Sequence, residues 1–176
     1  VPVAGQLDLK ALAEAQPDWH FDGVDPSSEM LRLARDTLGP LAARVRWHEG
    51  LIDGAPPGPF DGATCLLTLH FLPREERLQT LQALHQRLRP GARLVVAHHS
   101  FAYDGADPDR WLRRNAAFAA PPGATAAPDA ASFAAMKQRL PVLTPQQDAD
   151  LLHEAGFTDV ELFYAAFSFR GNPAGM

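Results

Sequence analysis

Trp19-His20-Phe21-Asp22-Gly23-Val24-Asp25-Pro26-Ser27-Ser28-Glu29-Met30-Leu31 decides the fold of this chain. His20 to Asp25 reads as a short strand that ends on an acid. Pro26-Ser27-Ser28 is a turn, and Glu29-Met30-Leu31 opens a helix. Ser27 or Ser28 can cap that helix, because a hydroxyl there accepts an orphan amide proton. Met30, Leu31, Leu33, Ala34 and Leu38 form its apolar stripe, and Gly39-Pro40 stops it. A strand that passes through a tight turn into an amphipathic helix is one unit of an alternating α/β fold.

The alternation extends in both directions. Leu7 to Gln16 has helical spacing that Pro17 ends. Val45 to Glu49 reads as a strand, and Asp53 to Pro59, rich in Gly and Pro, as a loop. Phe60 to Leu67 becomes apolar toward its end, as a buried parallel strand does. Pro73-Arg74-Glu75-Glu76 starts a helix with its acids at the positive end of the dipole. Leu78, Leu81, Leu84 and Leu88 carry its stripe, Arg89-Pro90-Gly91 ends it, and Arg93 to His99 is the next strand. Trp111 to Ala120 and Ala131 to Leu140 read as short helices. Thr144-Pro145-Gln146-Gln147 matches a capping box, and its helix ends at Gly156. Asp159 to Phe163 and Ala165 to Phe169 read as two final strands, too close for a crossover helix and therefore antiparallel. The expectation is one α/β domain over residues 1–176, with a helical insertion at about 101–142.

Composition narrows the function classes. The 176 residues are 46% hydrophobic and 21% charged, ordinary for a globular chain. No apolar run nears the roughly 20 residues of a membrane span. A net charge of −5 offers no global basic field, which argues against nucleic acid as a partner. The single cysteine, Cys65, excludes an intrachain disulfide framework and fits a reducing cytoplasmic setting. Val1-Pro2-Val3-Ala4-Gly5 opens without Met in the middle of what reads as an element. The N-terminus is therefore expected to be incomplete, or shortened near Gly5.

Ligands of open parallel sheets bind beyond the carboxyl ends of the strands. Asp25 at such an end can accept hydrogen bonds from both hydroxyls of a ribose. It lies 20 residues after Gly5, near the spacing of nucleoside-binding units. The plainer alternative is that Asp25 only caps the helix after it. His70 follows the next strand but one; its imidazole can take a proton from an acceptor, or can simply pack between Leu69 and Phe71. Strand alternation sends His98 and His99 to opposite faces, and no metal-ligand spacing occurs, so no metal is expected. Cys65 reads as a buried small hydrophobe.

Three segments carry a family resemblance. Residues 19–38, from Trp19 to Leu38, resemble the second-strand motif of class I S-adenosylmethionine (SAM) dependent methyltransferases. Leu84 to His98 looks like the helix, Pro-Gly turn and fifth strand of that family, and His153 to Leu162 like its late helix-to-strand element. The resemblance implies a Rossmann-like three-layer αβα sandwich around a mostly parallel seven-stranded sheet, its last strand antiparallel and inserted beside its neighbour. It implies SAM as cofactor and a small-molecule methyl acceptor. Asp25 would hold the ribose, and Pro26, Ser27 and Met30 would border the adenine. Leu51 and Ile52 stand where relatives carry an acid and a small residue. Leu67 and Thr68 would pass the methionine part, and Gly5 would be the surviving glycine of the first loop. His70 would lie near the transferred methyl group. In the insertion, Tyr103, Trp111 and Arg114 are candidate acceptor-binding residues, or part of an amphipathic cover.

Leu67 to Arg77 and the ending Phe163 to Gly171 also resemble bacterial carboxy-SAM synthases. Two further readings stay open: a nicotinamide-linked oxidoreductase, which Asp25 also fits, and a non-catalytic nucleoside-binding module. The sequence leaves the oligomeric state open, a homodimer included.

Overall fold

The computed structural model describes residues 6–102, 109–119, 140–166 and 168–176. Helix α1 (Gln6–Ala15) leads into strand β1 (Phe21–Asp25), helix α2 (Ser28–Leu38) and strand β2 (Val45–Glu49). Strand β3 (Phe60–Leu66), helix α3 (Arg74–Arg87) and strand β4 (Leu88–His99) follow. Helix α4 (Arg110–Ala119), helix α5 (Pro145–Glu154), strand β5 (Tyr164–Ala166) and strand β6 (Phe169–Gly175) complete the order.

The helix ends follow local chemistry. Ser27 caps α2 by accepting from the Met30 amide at 3.2 Å. At α5 both halves of the capping box form: Gln147 N donates to Thr144 Oγ1 at 3.2 Å, and Thr144 N to Gln147 Oε1 at 2.9 Å.

The strands form two sheets, not the single seven-stranded sheet expected. β1 pairs in parallel with β2, and a mixed four-stranded sheet runs β3-β4-β6-β5. β3 and β4 are parallel; β6 is antiparallel to both β4 and β5 and sits between them. The expected antiparallel, inserted last strand is therefore present. The sheet divides because no described strand lies between β1 and β3. Their facing edges instead border a groove of about 830 Å³ that Leu9, Phe21, Phe60, Ala63 and Val95 help to line.

Three strands differ from expectation. Asp159 adopts a left-handed backbone (φ 50°), which interrupts the strand read from Asp159 to Phe163. Regular pairing there begins only at Tyr164, although Thr158 bridges Gly175. The strand read from Ala165 to Phe169 is split instead: Ala165 and Ala166 end β5, and β6 starts only at Phe169 and runs on through Gly171 and Pro173. Pro173 lacks an N–H but still accepts through its carbonyl, from Glu161 N at 3.2 Å. β4 also starts early, at Leu88, so Leu88 leaves the α3 stripe. The register jumps from Phe60↔Leu88 to Gly62↔Arg93, and Gly91 takes φ 79° inside that bulge.

The main core joins β3, β4 and β6 to α3 and α5 through Cys65, Leu81, Leu84, Leu94, Val96, Leu151 and Phe157. Leu9, Leu38 and Val45 form a second cluster under α1 and α2. Between β1 and β2, Asp22 bonds Arg46 at 2.7 Å and His48 at 2.8 Å. Burial alone would raise that carboxyl, but the two bonds and the charges behind them hold it below its ordinary value. Among the described residues no helix is long and apolar enough to cross a membrane.

Candidate functional site

The carboxyl ends of β1, β2, β3 and β4 carry the residues singled out in the sequence. Asp25 ends β1 half-buried. Its Oδ1 accepts from Ser27 N at 2.8 Å, and its own carbonyl accepts from Gly50 N at 3.0 Å, which ties the ends of β1 and β2 together. The capping of α2 falls to Ser27, so Asp25 Oδ2 is not needed by the turn. One carboxylate oxygen, rather than two, is thus left to accept from a ligand hydroxyl. Pro26 is exposed, and Met30 and Leu51, on the segments that follow β1 and β2, are 37% and 66% exposed. Ile52 differs from expectation. It is 8% exposed and belongs to the main core, because the 3-10 turn after Leu51 directs it inward.

Beyond β3 the chain turns sharply. Leu67 takes φ 56°, a conformation that costs a branched side chain energy, and remains 39% exposed. Its amide donates to Ala97 O at 2.6 Å, which anchors the turn to β4. Thr68 Oγ1 donates to Leu66 O at 3.1 Å. This strained turn was not legible in the sequence, since leucine gives no signal for a left-handed residue.

The turn delivers His70 into a buried set of rings. His70 is 3% exposed, its ring centroid is 4.7 Å from that of His99, and its Nδ1 accepts from His99 N at 3.4 Å. His99 stacks on Phe169 at 4.1 Å and bonds Ser168 Oγ at 2.9 Å. Burial, with the neighbouring His99, His98 and Arg77 charges, pushes His70 down to about 3; burial and His98 push His99 down to about 4. His70 is therefore neutral at pH 7. Because Nδ1 accepts, the ring hydrogen resides on Nε2. In this tautomer Nε2 is a donor, so the ring as placed offers a hydrogen bond rather than a site for an acceptor's proton.

On the other face of β4, His98 points to α5. Its Nε2 lies 3.2 Å from Asp148 Oδ2, and Asp148 Oδ1 accepts from Arg77 Nη1 at 3.0 Å. Arg77 also donates to Leu72 O at 2.9 Å and to Pro141 O at 2.5 Å. Arg77 thus locks the segment after His70 to α5 and to the chain before Val142. The sequence held one signal for this: an arginine beside the apolar stripe of α3.

Trp111 and Arg114 come together on α4, which Leu112 anchors against Phe101. Gly5 and Tyr103 lie outside the described residues. Cys65 is fully buried and its thiol is pushed up to about 12, so it is inert. Among the described residues no group of three or more His, Cys, Asp or Glu could hold a metal ion. The 830 Å³ groove between the sheets is lined by none of Asp25, Ser27, Met30, Leu51, Thr68 or His70.

The sequence matches the Methyltransferase domain family over residues 5–94, just over half of the chain. It is 30% identical over 169 residues to the carboxy-S-adenosyl-L-methionine synthase of Chromohalobacter salexigens, covering 94% of this chain and 62% of that protein. The corresponding synthase of Actinobacillus succinogenes is 26% identical over 157 residues, covering 88% of this chain and 65% of that protein. The chain thus spans less than two thirds of the length of these curated relatives. Among solved structures, the S-adenosylmethionine-dependent methyltransferase SibL in its apo form superposes with a TM-score of 0.67 at 20% identity, over 97% of this chain and 47% of that one. A strand-turn-helix unit ending on Asp25, a rim of open apolar residues and an inserted antiparallel last strand agree with these matches, and the chain belongs to the methyltransferase domain family with the class I SAM-dependent methyltransferase fold.

Proposed function

We propose that this chain binds SAM and transfers its methyl group to a small-molecule acceptor. Asp25 carries the reading: one of its oxygens is pinned by the Ser27 amide, which orients the other to accept from a ribose hydroxyl. Met30 and Leu51 would flank the adenine, and Leu67 and Thr68 the methionine part. These residues fit the cofactor by chemistry, one fixed acceptor among open apolar faces. When bound, the cofactor supplies a methyl group already activated by a sulfonium. The residues of the chain then act mainly by positioning and by excluding water. His70, packed between Phe71 and His99, supports the turn beyond β3, and Arg77 fixes the segment that follows it.

Isothermal calorimetry with S-adenosylhomocysteine tests this reading. A saturable heat is expected; none at millimolar ligand would refute it.

A second reading draws on the two curated relatives, both carboxy-SAM synthases that align over most of this chain. Mass spectrometry of the nucleoside product separates the two readings. S-adenosylhomocysteine supports methyl transfer, and a carboxylated sulfonium supports the synthase.

A further inference from the structure

β1 and β2 end on two carboxylates placed side by side. Their parallel register pairs Asp25 with Glu49, and neighbouring strands run about 4.8 Å apart. The register also fixes the face each side chain takes. Asp22 bonds Arg46 and His48, so these three share one face. Alternation puts Gly23 and Trp47 on the other. A Cβ at Gly23 would meet the Trp47 ring at 3.1 Å, as that placement requires. Two residues further along each strand, Asp25 and Glu49 stand on the same face as Gly23 and Trp47. The pairing holds to the strand ends, because Gly50 N still donates to Asp25 O at 3.0 Å.

The two acids are engaged differently. Asp25 is half-buried, and its Oδ1 accepts from Ser27 N at 2.8 Å, which leaves Oδ2 for a ligand. Glu49 is exposed, and among the described residues its carboxylate has no hydrogen-bond or ion-pair partner. Arg35, which reaches the same face, lies over the Trp47 ring at 5.1 Å from its centroid rather than against Glu49. A ribose presents two adjacent hydroxyls, and each can donate one hydrogen bond. The free oxygen of Asp25 answers one of them.

We propose that Glu49 is the second ribose acceptor, so that Asp25 Oδ2 takes one hydroxyl of the cofactor's diol and the Glu49 carboxylate takes the other. This rests on the methyltransferase reading and adds a binding residue to its cofactor site. Each contact is a charge-assisted hydrogen bond, the stronger kind. Glu49 gives up no bond within the protein to make it.

The test is calorimetry with S-adenosylhomocysteine and its 2′-deoxy and 3′-deoxy forms. Removing either hydroxyl should weaken binding to the wild-type chain about tenfold or more. Glu49→Ala should weaken S-adenosylhomocysteine by a similar factor, and Glu49→Gln by less, since its amide oxygen still accepts. In Glu49→Ala one of the two deoxy forms should bind as tightly as S-adenosylhomocysteine itself, because the hydroxyl it lacks no longer has an acceptor. The other deoxy form should still bind about tenfold more weakly. A merely structural role for Glu49 would penalise both forms alike. Glu49 is exposed, so Glu49→Ala should keep its urea midpoint. Binding of S-adenosylhomocysteine to Glu49→Ala within twofold of wild type, or an equal loss with both deoxy forms, overturns the proposal and leaves the methyltransferase reading standing. No binding to the wild-type chain sinks that reading and the role of Glu49 with it.

Discussion

Replacing Asp148 with alanine should unfold this protein more readily than any change at its rim. Arg77 is fully buried and Asp148 is 4% exposed. Burial pulls the Arg77 pKa below its ordinary value, but the adjacent carboxylate opposes that pull. In Asp148→Ala the guanidinium keeps Leu72 O and Pro141 O and loses its counter-charge. An uncompensated buried charge costs about 3–5 kcal/mol. With a urea slope of about 2 kcal/mol/M, the midpoint should fall by about 1.5–2.5 M. The double variant Arg77→Met/Asp148→Leu removes both charges and should be more stable than Asp148→Ala alone, because desolvation of the pair disappears with it. The assay is urea denaturation followed by circular dichroism at pH 7. A midpoint shift under about 0.5 M for Asp148→Ala, or a double variant less stable than that single one, would refute the reasoning.

Three further outcomes are expected. Asp25→Ala should weaken S-adenosylhomocysteine binding by about 10–100-fold, the value of a charge-assisted hydrogen bond, and Asp25→Asn by less because it retains an acceptor for Ser27 N; calorimetry measures both. Stability should fall as pH drops from about 6.5 toward 4. His70 and His99 stay neutral in the folded chain while the unfolded chain takes up their protons, so stability rises with pH across that window and levels off above it. The slope should approach about 1.4 kcal/mol per pH unit for His70, which is nearly inaccessible, and less for half-buried His99. His70→Gln should flatten it in urea titrations at pH 7, 6 and 5. Thr144→Ala removes one arm of a complete capping box and should cost about 1 kcal/mol in the same denaturation assay.

Local signals were readable where short-range chemistry dictates the outcome. Ser27, Thr144 and Pro73 each mark a helix start because the orphan amides of a first turn need acceptors or no donor at all. Asp25 stood out as an acid at the end of a strand before a tight turn, a position where the structure also gives it a local bond from Ser27 N. Met30 and Leu33, read as part of the α2 stripe, are instead exposed, and only Leu31, Ala34 and Leu38 turn to the core.

Other features depend on residues distant in sequence. The division into two sheets reflects which strand edges meet, and alternation of apolar residues says nothing of which strand pairs with which. Pro173 could join β6 because its missing donor is not needed there, a fact set by β4 and Glu161 rather than by proline itself. His70 read either as a proton acceptor or as packing beside Phe71; the structure buries it against Phe71, and the amide of His99, 29 residues away, engages its Nδ1 and leaves the hydrogen on Nε2. Glu49 stands beside Asp25 because β1 pairs with β2, a relation that no local pattern contains. Sequence alone therefore determined most of the elements up to the capped helix α5 and singled out the acid that ends β1, since hydrogen bonds within a few residues govern them. Tertiary structure decided the pairing of edges, the tautomer and the carboxylate pair, because burial and long-range contacts control each of these.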